Sequence, residues 1–270
     1  MLNDVKTRRK LVNSPILRAA IIGMIYFLPG LGKAVYAVTL HVAVASNFLA
    51  ASKALALQFQ AISGISVSIS SGSTGKLYAQ IINGAPYDVF MAANAREPGR
   101  LVKGGLALAD SRLTYAVGRL ALYSSRIILA GKQADFILKS NHWDHLAIAN
   151  PTIAPYGVAA REVLQHLGIW RKVQPRLIKG ENIGQTFYFA RSGNVALGLV
   201  ALSQVKSQEN SAKLQYVTIP RGWYQPIEQQ AVILSRSRIK IEARAFLEFL
   251  HSPAVMQLLI EKYGYGGLGK

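Results

Sequence analysis

Two short clusters of hydroxyl and amide side chains, Ser46-Asn47 and Ser73-Thr74, have the residue types and spacing best suited to binding chemistry. Each cluster follows a run that predicts a β-strand, and each opens a pattern that predicts a helix. The first amide groups of a helix have no partner within it, so such a junction offers backbone N–H donors beside the side chains. Because no Arg or Lys lies inside either cluster, we expect an anion site built from neutral donors.

The second half of the chain repeats this arrangement at Tyr156 and at Ile183. Tyr156 follows the run Leu146–Ala149, which predicts a buried strand, and a helical pattern comes after it. Ile183 follows Glu181-Asn182 and opens another helical pattern. Both junctions can direct backbone N–H groups toward a shared point, so we expect donors from the two halves of the chain to meet.

Short apolar strands alternate with helical patterns along most of the chain, which is typical of an α/β protein with parallel sheets and crossover helices. In such sheets, ligands bind outside the carboxyl ends of the strands. Both hydroxyl clusters fall at that end.

Composition narrows the function classes. The chain has 270 residues, of which 51% are hydrophobic, so it can bury a sizeable core. The sequence contains no Cys, which excludes disulfides and Cys-based catalytic or metal sites. The formal net charge is +18. This charge is compatible with a solvated basic surface or with a surface that binds nucleic acid or a membrane. The basic residues are scattered and no binding motif accompanies them, so we expect no nucleic-acid partner.

Residues 1–37 have the pattern of a secretory signal peptide. A basic stretch precedes the apolar run Ala19–Leu28, and Val35-Tyr36-Ala37 offers a cleavage site. The alternative is an uncleaved N-terminal membrane anchor. In either case we expect the rest of the chain to lie outside the cytoplasm.

Other chemistry is poorly supported. His142 and His145 flank Trp143, but a pair on a helix surface explains them better than a metal site does. We find no nucleophile elbow and no phosphate-binding Walker loop, so we expect no enzymatic activity. The hydroxyl clusters could also be ordinary helix caps with no ligand.

Several ordered blocks of the sequence resemble the periplasmic molybdate-binding proteins that serve ABC-type importers. The resemblance extends over essentially the whole chain after the leader. The matching blocks are Val44–Phe48, Gly72–Ile81, Asn83–Phe90, Asn150-Pro151 with Ala154–Gly157, Gly180–Ile183 and Gly198–Gln204.

This resemblance implies a two-lobe periplasmic-binding-protein fold, with mixed, mainly parallel sheets, helices on both faces of each sheet and a ligand cleft between the lobes. We expect lobe 1 to comprise residues 38–116 and 223–270, and lobe 2 to comprise residues 117–222.

The resemblance also implies an extracytoplasmic receptor that captures molybdate or tungstate and delivers it to a membrane permease. Molybdenum would be bound only as the oxyanion, with no separate cofactor or metal site, by a protein that we expect to be monomeric and periplasmic. Alternatives are a receptor for another tetrahedral oxyanion such as sulfate, and the effector-binding domain of a regulator. The implied binding residues are Ser46, Asn47, Ser73, Thr74, Tyr156 and Ile183, the last through its backbone N–H alone.

Overall fold

The computed structural model describes residues 38–129, 131–140, 142–208 and 215–267. The leader predicted for residues 1–37 lies outside these ranges. Within them, residues from Val38 onward form one compact unit that contains two sheets. No helix in the described ranges is both long and apolar enough to cross a membrane.

The first sheet has the strand order β2-β1-β3-β10-β4 across the described residues. Strands β1, β2 and β3 are parallel, whereas β10 runs antiparallel to both β3 and β4. Residues of β1 are buried on both faces at its carboxyl end, because helices cover both sides of a parallel sheet. The strands are β1 (Thr39–Ala45), β2 (Ser66–Gly72), β3 (Val89–Met91), β4 (Leu113–Gly118) and β10 (Ile227–Ile233).

The second sheet has the order β7-β6-β8-β5-β9 across the described residues. Strands β6, β7 and β8 are parallel, with β7 at the edge, and β5 is antiparallel to β8 and to β9. The strands are β5 (Leu120–Ser124), β6 (Leu146–Ala149), β7 (Leu177–Gly180), β8 (Leu197–Ala201) and β9 (Gln215–Thr218).

Helices pack against both sheets, and their ends follow local sequence signals. Ser73 accepts a hydrogen bond from the N–H of Lys76 and so caps α2, whereas Pro155 occupies the first position of α5. The described helices are α1 (Leu49–Ser63), α2 (Thr74–Ile82), α3 (Arg96–Lys103), α4 (Ala134–Lys139), α5 (Pro155–His166), α6 (Trp170–Val173), α7 (Ile183–Arg191), α8 (Leu202–Lys206), α9 (Lys240–Leu250) and α10 (Pro253–Glu261).

Each sheet has its own hydrophobic core, which makes it the centre of one lobe. One core includes Phe48, Leu55 and Phe246, and another includes Leu122, Leu146 and Leu164. The chain passes between the sheets at Arg119, which separates β4 from β5, and again through residues 219–226, which separate β9 from β10. This is the expected two-lobe α/β fold. The residue numbers predicted for the lobe boundaries stay a prediction.

Candidate functional site

A small cavity lies between the lobes at the carboxyl ends of β1, β2 and β6. All six residues predicted from the sequence line it, so the fold brings together positions more than a hundred residues apart. Among the described residues along its wall, every one is uncharged. The lining residues are Ala45, Ser46, Asn47, Gly72, Ser73, Thr74, Ala93, Ala154, Pro155, Tyr156 and Ile183.

Three hydroxyl groups of the cavity lining each accept a hydrogen bond from a backbone N–H. Ser46 Oγ accepts from Gly184 at 3.2 Å, Ser73 Oγ from Lys76 at 3.4 Å, and Thr74 Oγ1 from Ala93 at 3.0 Å. A hydroxyl has one proton to donate, and here the backbone already supplies a donor to its oxygen. The proton of each hydroxyl is therefore available to an acceptor in the cavity, which suits a negatively charged ligand.

Helix starts add backbone donors on both sides of the cavity. Thr74, Tyr156 and Ile183 lie in the first turns of α2, α5 and α7, and Asn47 lies in the short 3-10 turn Ser46–Phe48. Amide groups at these positions have no acceptor within their own helix. Because they also lie at the positive ends of the helix dipoles, they favour an anion even where no cationic side chain is present.

The side chain of Asn47 differs from expectation. Its Nδ2 donates to Gln229 Oε1 at 2.9 Å and to the Tyr265 hydroxyl at 3.3 Å. Its Oδ1 is buried and has no hydrogen-bond partner in the described part of the chain. In this arrangement the amide protons of Asn47 are used within the protein, although the residue still lines the cavity.

Tyr156 is almost fully buried, and its hydroxyl lies 3.1 Å from Gln229 Nε2, which donates to it. A side chain at Gly118 would not fit here, because a Cβ would come within 2.4 Å of the Tyr156 hydroxyl and 2.8 Å of Gln229 Nε2. Gly118 thus allows a helix of one lobe to meet a strand of the other where the chain first crosses between them.

Burial also fixes the protonation of these tyrosines. Desolvation raises the pKa of Tyr156 and of Tyr115 well above the usual value, and it raises the pKa of Tyr265 as well. All three therefore remain neutral hydrogen-bonding groups at physiological pH. No phenolate charge develops beside the cavity to repel an anion.

Direct contacts join the lobes next to the cavity. The Gly75 N–H donates to the Ile153 carbonyl at 2.9 Å, and Lys76 forms a 2.7 Å ion pair with Glu181. Both side chains of the ion pair are about half exposed, so it lies at the rim. The structure is therefore a closed form, in which a ligand would be shielded from solvent.

Several local expectations need correction. Of the four residues in the two clusters, for which ordinary helix caps were the alternative, Ser73 alone caps a helix. Ser46 and Asn47 lie within a 3-10 turn, and the Thr74 hydroxyl accepts from Ala93 instead. The Ile183 side chain packs in the core of the second sheet, so it matters for stability even though it carries no donor.

His142 and His145 lie in a loop and not on a helix. No cluster of three His, Asp or Glu residues able to hold a metal ion occurs in the described ranges.

Sequence reasoning missed the residues behind the cavity wall. Gln229 and Tyr265 contact Asn47, and Gln229 also contacts Tyr115 and Tyr156. The available signal was Gln229, at a position that alternates with the exposed Glu228 in the strand Ile227–Ile233 and so faces inward. This signal does not predict the partners of Gln229, because the sequence of one strand does not show which residues its buried polar side chain contacts.

Comparison with known proteins agrees with this geometry. Residues 40–266 match the family model of the bacterial extracellular solute-binding proteins. The chain is 42% identical over 233 residues to the molybdate-binding protein ModA of Azotobacter vinelandii, covering 86% of this chain and 92% of the relative. It is 39% identical over 223 residues to ModA of Rhodobacter capsulatus, covering 83% of this chain and 86% of the relative.

Solved structures give the same result. The Azotobacter vinelandii periplasmic molybdate-binding protein superposes with a TM-score of 0.80 at 41% identity, covering 86% of this chain and all of that one. The sulfate-binding protein SubI of Mycobacterium tuberculosis superposes with a TM-score of 0.66 at 15% identity, which shows a shared fold alone. Each of these relatives is named as a binding protein. The chain belongs to the bacterial extracellular solute-binding proteins and, among them, to the family of periplasmic molybdate-binding proteins.

Proposed function

We propose that this chain binds molybdate in the cavity between its lobes and delivers it to the membrane permease of an ABC importer. One observation carries the proposal. The cavity wall is uncharged, yet it presents hydroxyl and backbone donors from both lobes. A buried dianion needs such donors in place of its hydration shell. The family of the chain and the names of its relatives in Azotobacter and Rhodobacter support the same ligand.

Within this proposal, the six lining residues have two roles. Ser46, Ser73 and Thr74 donate their free hydroxyl protons to the oxygens of the anion. Asn47, Tyr156 and Ile183 donate backbone N–H groups from helix starts, so the ligand is held from both lobes at once.

Selectivity follows from a fixed set of short donors. Tungstate is nearly the same size as molybdate, so we expect it to bind as well. Sulfate is smaller and cannot reach donors on both lobes at full hydrogen-bond strength, because hydrogen bonds weaken as they lengthen. Phosphate at neutral pH retains a proton, for which a site made of donors has no acceptor.

The proposal extends to the setting of the protein. We expect it to act as a monomer in the periplasm, without nucleic acid, after secretion through residues 1–37 or while anchored by them. The mass of the secreted protein distinguishes a cleaved leader from a retained anchor, since cleavage after Ala37 removes residues 1–37.

Calorimetric titration with a panel of oxyanions tests the ligand. We expect molybdate and tungstate to bind with similar affinity, and sulfate and phosphate to bind at least about a hundredfold more weakly, since two lost charge-assisted hydrogen bonds account for such a factor. Equal affinity for sulfate and molybdate would replace the proposal with a general oxyanion receptor. No heat with any of the four anions would refute it.

A further inference from the structure

Gln229 is fully buried, does not line the cavity, and yet contacts residues from both lobes. Its Oε1 accepts from Asn47 Nδ2 at 2.9 Å and from the Tyr115 hydroxyl at 3.1 Å, while its Nε2 donates to the Tyr156 hydroxyl at 3.1 Å. An irregularity in the pairing of β10 with β4 falls at Gln229/Gln230. Bulges of this kind redirect side chains near functional sites.

The donors and acceptors of this network do not match in that arrangement. The Tyr115 hydroxyl has one proton but lies 3.1 Å from two acceptors, Gln229 Oε1 and the Ala92 carbonyl. Asn47 Oδ1 is buried and unpaired within the described ranges, and no acceptor is found there for the Tyr156 proton. Buried polar groups are normally paired, so these three features require a common explanation.

Turning both amides by half a turn exchanges their oxygens and nitrogens while every other heavy atom stays in place. Gln229 Nε2 then donates to Asn47 Oδ1 and to the Tyr115 oxygen, which frees the Tyr115 proton for the Ala92 carbonyl. The Tyr156 hydroxyl donates to Gln229 Oε1. This arrangement gives the Tyr115 and Tyr156 protons one acceptor each and pairs Asn47 Oδ1, and the unpaired group becomes the Asn47 NH2.

At the Asn47 end, the Tyr265 hydroxyl lies 3.1 Å from the Asn47 carbonyl, to which it donates, and 3.3 Å from the side-chain atom that becomes Oδ1. Its proton can turn to Oδ1, because the Asn47 carbonyl keeps its 3.0 Å hydrogen bond from Ser203. The amide group that remains without a partner is the NH2 of Asn47, on the arm where the unpaired Oδ1 lay. This residue lines the anion cavity.

We propose that Gln229 orients the Asn47 amide so that its NH2 group points into the cavity, and that Gln229 thereby selects a fully deprotonated oxyanion. With the amide reversed, Asn47 would present an oxygen that accepts the proton of hydrogen phosphate. Gln229 is thus a positioning residue that acts through Asn47. The inference rests on the proposed function for the identity of the anion, but the orientation itself does not depend on it.

Nuclear Overhauser effects in the ligand-free protein report the orientation directly. In the proposed arrangement the Gln229 side-chain NH2 protons lie beside the Tyr115 ring. In the reverse arrangement they lie beside Gly118, because a Cβ at Gly118 would be only 2.8 Å from that arm. Contacts to Tyr115 ring protons support the proposal, and contacts to the Gly118 α-protons overturn it.

A second measurement compares anion selectivity in Gln229→Leu with that in the matched control Gln230→Leu. Gln230 is the next residue on the strand, but its amide pairs with Thr114 and Arg112. In Gln229→Leu the Asn47 amide loses its hydrogen bond to Gln229 and can adopt either orientation. We therefore expect the preference for molybdate over hydrogen phosphate to fall by about tenfold or more in this variant and to be unchanged in Gln230→Leu.

An unchanged preference in Gln229→Leu would overturn the proposal while leaving molybdate binding by the unaltered protein intact. Failure of the unaltered protein to bind molybdate would instead refute the proposed function, and the contacts of the Gln229 amide would still show which way it points.

Discussion

Gly75 and Ile153 join the two lobes through their backbones, with the N–H of Gly75 donating to the carbonyl of Ile153 at 2.9 Å. A Cβ at Gly75 would lie 3.0 Å from that carbonyl oxygen and 3.1 Å from the Ile153 Cα. Both neighbours are backbone atoms that cannot rotate away. Glycine at this position therefore permits the approach that closes the cavity.

Gly75→Ala should separate closure from folding. Alanine suits a helix better than glycine, so the ligand-free protein should keep its stability or gain up to about 1 kcal/mol. Molybdate affinity should fall by about tenfold, because the lobes lose the hydrogen bond across the cleft. Chemical denaturation and calorimetry measure the two effects. Gly99→Ala, in helix α3, is the control, since its new methyl group meets only the end of the Arg112 side chain. Unchanged affinity in Gly75→Ala would show that closure does not need this contact.

Thr74→Val should weaken both binding and folding. The substitution deletes the proton available to the anion and also the acceptor of the Ala93 N–H. Each loss at a buried site costs about 1–3 kcal/mol, so the unfolding free energy and the binding free energy should fall by amounts of that order. Thr74→Ser keeps the hydroxyl and should restore most of both. If Thr74→Val loses stability but binds molybdate normally, the hydroxyl serves the fold alone.

Tyr156→Phe should reduce molybdate affinity by about five- to twentyfold, because it removes the hydroxyl that meets Gln229 across the lobes and leaves a buried amide atom unpaired. Tyr188→Phe provides a matched control, because that side chain is 64% exposed on α7. Calorimetry on both variants measures the difference. Equal molybdate affinity in Tyr156→Phe and Tyr188→Phe would show that the Tyr156 hydroxyl does not contribute to closure of the lobes.

Ile183 should bind through its backbone alone. Ile183→Val keeps most of the buried volume, so we expect a stability loss of about 1 kcal/mol and unchanged molybdate affinity. Ile183→Ala leaves a cavity in the core of the second sheet and should cost about 2–5 kcal/mol of stability. Thermal unfolding and titration of Ile183→Val distinguish the roles. A clear loss of affinity in this variant would mean that the side chain shapes the site.

Alkaline pH should destabilise the fold through the buried tyrosines. Burial raises the pKa values of Tyr115, Tyr156 and Tyr265 above the usual value, so these groups keep their protons while the unfolded chain begins to ionise. The unfolded state then binds fewer protons, and the unfolding free energy falls as the pH rises beyond about 10. Denaturant unfolding at pH 8, 10 and 11 measures the slope, which should be shallower in Tyr156→Phe. An identical slope in that variant would contradict this account.

Local signals in the sequence predicted the α/β class and the strand-to-helix junctions of the cavity lining, and the family resemblance implied the two lobes. Ser73 and Thr74 follow a strand and begin a helix within a few residues, so propensity and spacing place them together. The role of Gln229 could not be predicted from the sequence. Its amide forms hydrogen bonds with Asn47, which is 182 residues away in the sequence, and with Tyr156, which belongs to the other lobe. Only the assembled fold determines such a contact. The hydrogen bond that the Thr74 hydroxyl accepts could not be predicted for the same reason, since its donor, Ala93, follows another strand.

The division of the donors between the lobes has a consequence for unloading. Ser46, Ser73 and Thr74 belong to one lobe, while Tyr156 and Ile183 belong to the other. Hydrogen bonds are short-range, and the cavity wall lacks a fixed charge that could hold the anion at a distance. Once the lobes separate by the width of a water molecule, solvent replaces the donors of one lobe, and the donors of the other lobe alone retain little affinity. A transporter that pulls the lobes apart therefore needs no competing ligand to empty the site.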